Sequence, residues 1–548
     1  MKHVFFCLFT VLSLVISFQP ALAQTPSVLR NDITIRSFFK IDNTDTQTRI
    51  VYDASDKSFY TIAWNGELFH LAPDASGNYA IQRLATSQDH QINYLQGLAL
   101  HEGTIYLVGN VVIQQGVSGY GKAVKAKITS GKMTWTDIFK TAEHASSKTL
   151  FDHAFSAICF SPDGKDIFIA SGSRTDHGEV KDNEGRYPNL REIALTSSIF
   201  KLPASTENLL LPNDSAALAP YIYVRGVRNA FSLAFAANGD LFSVENSGDR
   251  DDPEEMNWIR PGAHYGFPWE MGGNDTPMQF TGYEAEADKL LNHAYTGYQI
   301  GAFHDDKNFP QKPKNLTFRK PIQNAGPDAD KYRDAVTGKV MDASDNGKTI
   351  STFTGHRSPL GLSFDTQSTF GGEYTGKGFV LNFQEGSESY GPMQDPGQDL
   401  VMLDLKKNAA GDDYSLNAYS IAANFRNPTD SRIVDNKLYV LEGQGQIWEL
   451  TFPKPAKPII TAIPSSAQVQ FKIYPNPGQN KMVVEFPSKS QDIELSVTDI
   501  SGIVLIKQSK ILTGGKTELD ISSLRSGIYI LKAESQSQQI TTKFLVNP

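Results

Sequence analysis

Short apolar runs alternate with polar turns along most of the chain, with no sustained helical period. SFYTIAWNGELFHL from Ser58, LALHEGTIYLVGN from Leu98 and ICFSPDGKDIFIASGS from Ile158 each join two β-type runs through a turn rich in Gly, Asn or Asp. LAFAANGDLFSVENS from Leu233, GKGFVLNF from Gly376 and SRIVDNKLYVLEGQGQIWEL from Ser431 continue the series. One such unit cannot cover its own faces, whereas about six arranged radially protect their edges. The pattern therefore predicts an all-β chain: a six-bladed β-propeller over residues 30–451, then a small C-terminal β-sandwich. Unequal spacing implies inserted loops at 175–221, 270–330 and 384–400, on the faces where propellers bind ligands.

The two ends read differently. Residues 1–23 combine Lys2, an apolar run from Val4 to Phe18 and the small-residue stop Ala21-Leu22-Ala23, a signal peptide cut after Ala23. No later stretch supplies about 20 uninterrupted apolar residues, so no transmembrane segment is expected in the mature chain. Pro453, Pro455, Pro458 and Pro464 mark 452–470 as an extended linker. Residues 471–548 return to short alternating runs. Within them YPNP at Tyr474–Pro477, DISG at Asp499–Gly502, LRSGIYIL at Leu524–Leu531 and the terminal KFLVNP resemble the type A sorting tail of the type IX secretion system. That resemblance implies passage through the periplasm to the cell surface or medium of a Bacteroidetes-type bacterium, with the secretion machinery as partner. The alternative for this segment is an accessory carbohydrate-binding sandwich.

A net charge of −9 opposes binding to nucleic acid or anionic lipid, because both need a concentrated positive surface. Only two cysteines occur, and Cys7 leaves with the signal peptide, so Cys159 has no internal disulfide partner. Neither a P-loop nor a nucleotide-binding GxGxxG in strand-to-helix context is present.

Chemistry concentrates between Tyr221 and Asn274. Arg228-Asn229 supplies a planar cation beside an amide, suited to carboxylate or quinone oxygens. The following loop brings Ser247, Gly248, Asp249, Asp251, Asp252, Glu254 and Glu255, hard oxygen donors of the kind calcium takes. Read without a family, the arginine is a structural ion pair and the acidic run a solvated loop. His177 and Glu179 lack a recognised metal spacing and read as solvated. Trp258, Tyr265, Phe267 and Trp269 could stack on a sugar or simply pack.

The order RNxxxLAF, a Gly turn, an acidic loop and then NWIRPGAHYGFPW resembles the soluble glucose and sorbosone dehydrogenases that use pyrroloquinoline quinone. Upstream, Asp152-His153 resembles the pair supplying that family's catalytic base, and Gln96 its substrate-side glutamine; together the matches span most of residues 90–275. The resemblance implies His153, Asp152, Gln96 and Arg228 in catalysis and Arg228 and Asn229 on the quinone. It also implies calcium at Ser247, Gly248, Asp249, Asp251, Asp252 and Glu254. The chain departs from the pattern farther on: Gln384 stands where the family has lysine, and Asn427 and Thr429 where it has arginines. Gln384 and Arg426 are the candidate cofactor contacts there, with Lys377 and Arg357 as further cations. The expected function is oxidation of an aldose or polyol, with an external electron acceptor. The alternatives are a non-catalytic carbohydrate-binding or display propeller and a calcium-dependent lactonase or esterase.

Overall fold

The computed structural model describes residues 25–42, 45–114, 117–129, 132–145, 151–180, 189–384, 393–456, 472–485, 492–499, 503–511, 514–534 and 539–547. The signal-peptide segment 1–23 and linker residues 457–470 lie outside them. The chain divides into two units, Met1–Ala456 and Lys457–Pro548.

Among the described residues of the first unit, six mainly antiparallel sheets of three or four principal strands follow one another along the chain. Their first strands are Gln47–Asp53, Tyr94–His101, Phe155–Phe160, Ala230–Phe235, Pro359–Phe364 and Pro428–Val434. Each first strand packs against the next, and the sixth packs against the first, which closes a ring. This is the all-β propeller arrangement that the repeated hairpins predict. The ring closes through a strand the hairpin pattern did not single out. Thr34–Lys40 forms the outer strand of the sixth sheet, with Thr34 opposite Thr451 and Lys40 opposite Gln446.

The core lies between consecutive sheets. Phe139 of the second sheet meets Phe155 of the third, which in turn meets Phe200 of its own sheet; Phe242 of the fourth meets Phe364 of the fifth; Phe59 of the first meets Tyr439 of the sixth. Each such buried side chain stabilises the ring by roughly 1.5–3 kcal/mol, so cohesion is spread around the ring.

All six first strands share one irregularity. Near its start each skips a residue against its partner strand, leaving Thr48, Gln96, Ser156, Phe231, Leu360 and Thr429 bulged. A bulge bends the strand and frees a backbone group from the ladder. Residues just before these bulges share an edge with residues just after the second strands, because first and second strands are antiparallel. His153, Arg228, Asn229 and Arg426 precede first strands, while Ser247, Gly248 and Gln384 follow second strands. The ring therefore gathers the sequence-predicted positions on one face.

The second unit has its own core. Lys472–Tyr474, Lys481–Glu485 and Lys516–Asp520 form one sheet, and Val504–Ile511, Asp492–Thr498, Gly527–Glu534 and Gln539–Val546 the other. Alternate residues Met482, Val484, Leu495, Val497, Leu531 and Phe544 are buried together, which makes it the sandwich that the alternating runs predict.

Candidate functional site

His153 stands just before the first strand of the third sheet, and Arg228-Asn229 just before that of the fourth. The two meet at Gly172, which follows the second strand of the third sheet. A Cβ on Gly172 would lie 2.6 Å from His153 Cβ and 3.3 Å from both Arg228 O and Asn229 Oδ1. Only a glycine permits this approach. His153 Nδ1 lies 3.2 Å from Ser173 O and 3.3 Å from Ser173 Oγ. Burial first, and the Arg228 charge second, push the imidazole down to about 3, so it is neutral at ordinary pH. Asp152 is half-buried, with Oδ1 4.0 Å from Arg174 Nε.

Arg228 is buried, and four of its five N–H groups are engaged. Nε donates to Asp176 O at 2.9 Å, Nη1 to Asn246 O at 3.1 Å and Ser247 O at 2.8 Å, and Nη2 to Asp176 Oδ1 at 3.0 Å. One Nη2 proton has no partner among the described residues. Asn229 donates from Nδ2 to Asn246 Oδ1 at 3.3 Å, while its own buried Oδ1 has no partner among the described residues. A buried acceptor of this kind calls for a donor, such as a hydroxyl or a ring N–H.

Asp176 and His177, whose segment reads as solvated in sequence, are instead the centre of the site. Both are buried, as is Glu179, whose carboxylate receives the backbone N–H groups of Asp176 and His177 at 2.7 and 2.8 Å. His177 Nδ1 lies 2.5 Å from Asp176 Oδ2 and Nε2 3.3 Å from Asp252 Oδ2. Burial opposes charge on this ring, yet the two carboxylates raise it to about 9, so it is an imidazolium. Burial would also raise Asp176, but His177 and Arg228 outweigh it and hold that carboxyl well below the usual range. The sequence carries one sign of this: SRTDHGE follows directly on a strand and ends at the same edge as Asp152-His153.

The acidic loop is buried, and its carboxylates are engaged within the chain. Asp251 is paired with Arg333 and with His356 Nε2 at 2.7 Å; Asp252 accepts from Arg250 Nη1 and Asn274 Nδ2, each at 2.7 Å. Asp249 Oδ2 accepts from Gly297 N at 2.6 Å, and Glu254 from Ser358 N at 3.1 Å. The Ser247 carbonyl is taken by Arg228, and Gly248 packs so tightly that a Cβ there would lie 2.5 Å from Asp176 Oδ1. Among the described residues no three His, Cys, Asp or Glu side chains form a metal-ligating group. Arg250, Arg333, His356 and His177 set positive charge against Asp251 and Asp252. Burial pushes Glu254 up to about 7 and also raises Glu245 and Glu255, which lie opposite each other across the fourth sheet.

Other expected contacts fare differently. Gln96 is the bulged residue of the second sheet and is buried. Gln384 is half-buried with its N–H on Arg357 O, and Arg426 is exposed. Arg357 is buried between Asp395 and Asp399, and Lys377 pairs with Asp404, so neither replaces the missing cations. Tyr265 and Phe267 are buried, Trp258 lies under Arg260 and edge-to-face with Tyr414, and Trp269 stacks with Phe318: these aromatics pack.

Residues 54–297 match the Glucose / Sorbosone dehydrogenase family. This dehydrogenase-type segment holds Gln96, Asp152, His153, Arg228, Asn229 and the acidic loop, and stops before Gln384 and Arg426. Residues 472–547 match the Secretion system C-terminal sorting domain, which directs type IX secretion to the cell surface or beyond. No curated protein sequence matches. Among solved structures the chain is similar to the PQQ domain of pyranose dehydrogenase from Coprinopsis cinerea, at 13% identity over 78% of this chain and 97% of that one, with a TM-score of 0.47. It is also similar to virginiamycin B lyase from Staphylococcus aureus, at 9% identity over 77% and 99% of the two chains, with a TM-score of 0.30. No helix among the described residues is long and apolar enough to cross a membrane.

Proposed function

We propose that this chain is an exported oxidoreductase that oxidises an aldose or related polyol, with pyrroloquinoline quinone as cofactor and an external electron acceptor. The observation that carries this reading is the meeting of His153, Arg228 and Asn229 at Gly172, inside the dehydrogenase-type segment. The unpartnered Asn229 Oδ1 and the free Nη2 proton of Arg228 fit the polar edge of such a group, and these two residues would hold it. When bound, the quinone supplies the hydride acceptor.

The chain's own part is positioning and proton transfer. His153 is neutral, and an Nδ1–H given to Ser173 leaves the Nε2 lone pair to take the proton of a substrate hydroxyl. Arg228, locked by Asp176 and two loop carbonyls, keeps a fixed cation beside that exchange. No step is drawn through calcium: Asp251 and Asp252 hold cationic partners, and Asp249 and Glu254 accept backbone N–H groups.

A second reading has its own support. Arg228 and Arg357 are both paired with carboxylates, and a tricarboxylate cofactor needs cations that are not. A propeller that binds carbohydrate without turnover fits that pairing. Titrating the purified chain with pyrroloquinoline quinone, followed by dye-linked sugar oxidation, separates the two. Saturable quinone binding with turnover is expected; sugar binding without quinone binding would replace the first reading by the second.

A further inference from the structure

A cavity of about 510 Å³ runs inside the ring of first strands, lined by residues from all six, on the side of the bulges away from His153 and Arg228. Between the cavity and the site lies Arg49, the residue after the bulge in the first sheet. It is buried, and its guanidinium crosses the axis. Nε donates to the carbonyl of Gln96 at 2.8 Å, and Nη2 to the carbonyl of Ser156 at 3.1 Å and to that of Phe231, whose ring lies 4.0 Å from the Arg49 Cζ.

Those three carbonyls belong to the bulged residues of the second, third and fourth sheets. A bulge removes its residue from the ladder, so its carbonyl needs a partner from elsewhere. One planar cation with forked donors meets all three, which neither a lysine nor a water can do with the same fixed geometry. Burial lowers the guanidinium to about 10 against the opposing pull of Asp430, so it stays charged at neutral pH. The contact surfaces are tight: a Cβ on Gly97 would lie 2.2 Å from Val108 Cγ1 and 3.0 Å from Ser156 O.

The three tied sheets are the ones that supply the site. Gln96 is itself a tied residue, His153 stands three positions before Ser156, and Asn229 two before Phe231. We propose that Arg49 is a positioning residue: it fixes the second, third and fourth sheets at the axis and so sets the spacing of Gln96, His153 and the Arg228-Asn229 pair. This rests on the reading of that face as a dehydrogenase site, and it adds a residue outside the site on which the site's geometry depends.

The test uses the full chain with Arg49→Met and Arg49→Lys, and with Phe379→Leu in the buried core of the fifth sheet as a control for general destabilisation. Arg49→Lys keeps the charge and covers the case in which Arg49→Met does not fold. Amide hydrogen exchange is expected to accelerate locally, in peptides containing Gln96, Ser156 and Phe231, and turnover to fall by about 100-fold with a smaller change in KM, as misplacement of reacting groups by about 1 Å does. Arg49→Lys should recover part of both. Exchange that rises evenly around the ring, as in Phe379→Leu, or turnover at the parent rate, would overturn the proposal. A parent chain that oxidises no sugar with quinone would instead remove the functional reading, and the local exchange pattern would then decide the role of Arg49 by itself.

Discussion

His153 and His177 show how the same side chain is driven to opposite charge states within one site. Burial and Arg228 keep His153 neutral; Asp176 and Asp252 keep His177 protonated in spite of burial. Two outcomes follow. His153→Gln should fold, bind quinone and lose turnover by roughly 100- to 10,000-fold, the worth of a positioned proton acceptor; kinetics and a thermal melt on one preparation check this. For His177 the folded value of about 9 exceeds the ordinary 6.5, so the stability from its two ion pairs is complete below pH 6.5 and is lost as pH rises through about 9. Melts from pH 6 to 10 should therefore fall in the parent and flatten in His177→Gln, whose melting temperature at pH 6 is lower. Parallel curves for the two proteins would count against the pairing.

The hairpin is the unit of construction, and its two edges do different work. One edge carries exposed turns; the other carries the bulges and, beside them, the loops that hold the chemistry. The acidic loop after the second strand of the fourth sheet is held by segments far away in sequence: Asp176 and His177, Arg250 with Asp288, Gly297 and Arg333. Gly248→Ala would bring a Cβ to 2.5 Å from Asp176 Oδ1 and His177 Cε1, so denaturant unfolding should show a loss of about 1–3 kcal/mol, the usual cost of overpacking. Because arginine and histidine neutralise this loop, its stability should not depend on calcium. Melting temperatures in excess calcium and in excess chelator are expected to coincide; a rise with calcium would restore the metal to the loop.

Across the whole molecule, the ring and the sandwich each bury their own core, and among the described residues the two units share no sheet. Removal of residues 471–548 should leave the melting temperature of the propeller unchanged and strand the folded protein in the periplasm. Cell fractionation checks this, and normal appearance of the shortened chain outside the cell would contradict the assignment. The ring itself is closed by Thr34–Lys40, so loss of that strand should destabilise the sixth sheet far more than loss of the tail.

What the sequence by itself determined is whatever depends on neighbours along the chain. Period-two alternation with Gly, Asn and Asp turns specified the hairpins, the Pro-rich stretch the boundary between units, and the ordered motifs around Gln96, His153 and Arg228-Asn229 a set of residues that lie near one another in the ring. Tertiary structure decided what depends on meetings across the ring. The acidic run is buried and paired rather than solvated, because Arg333 and His356 reach it from 82 and 105 positions away. Asp176-His177 sits at the centre of the site because the fourth sheet folds against the third. No one residue type runs through the six bulges, and Arg49 precedes the carbonyls it ties by 47, 107 and 182 positions. No local pattern encodes such a contact; it exists only once the ring has brought six strand starts to one axis.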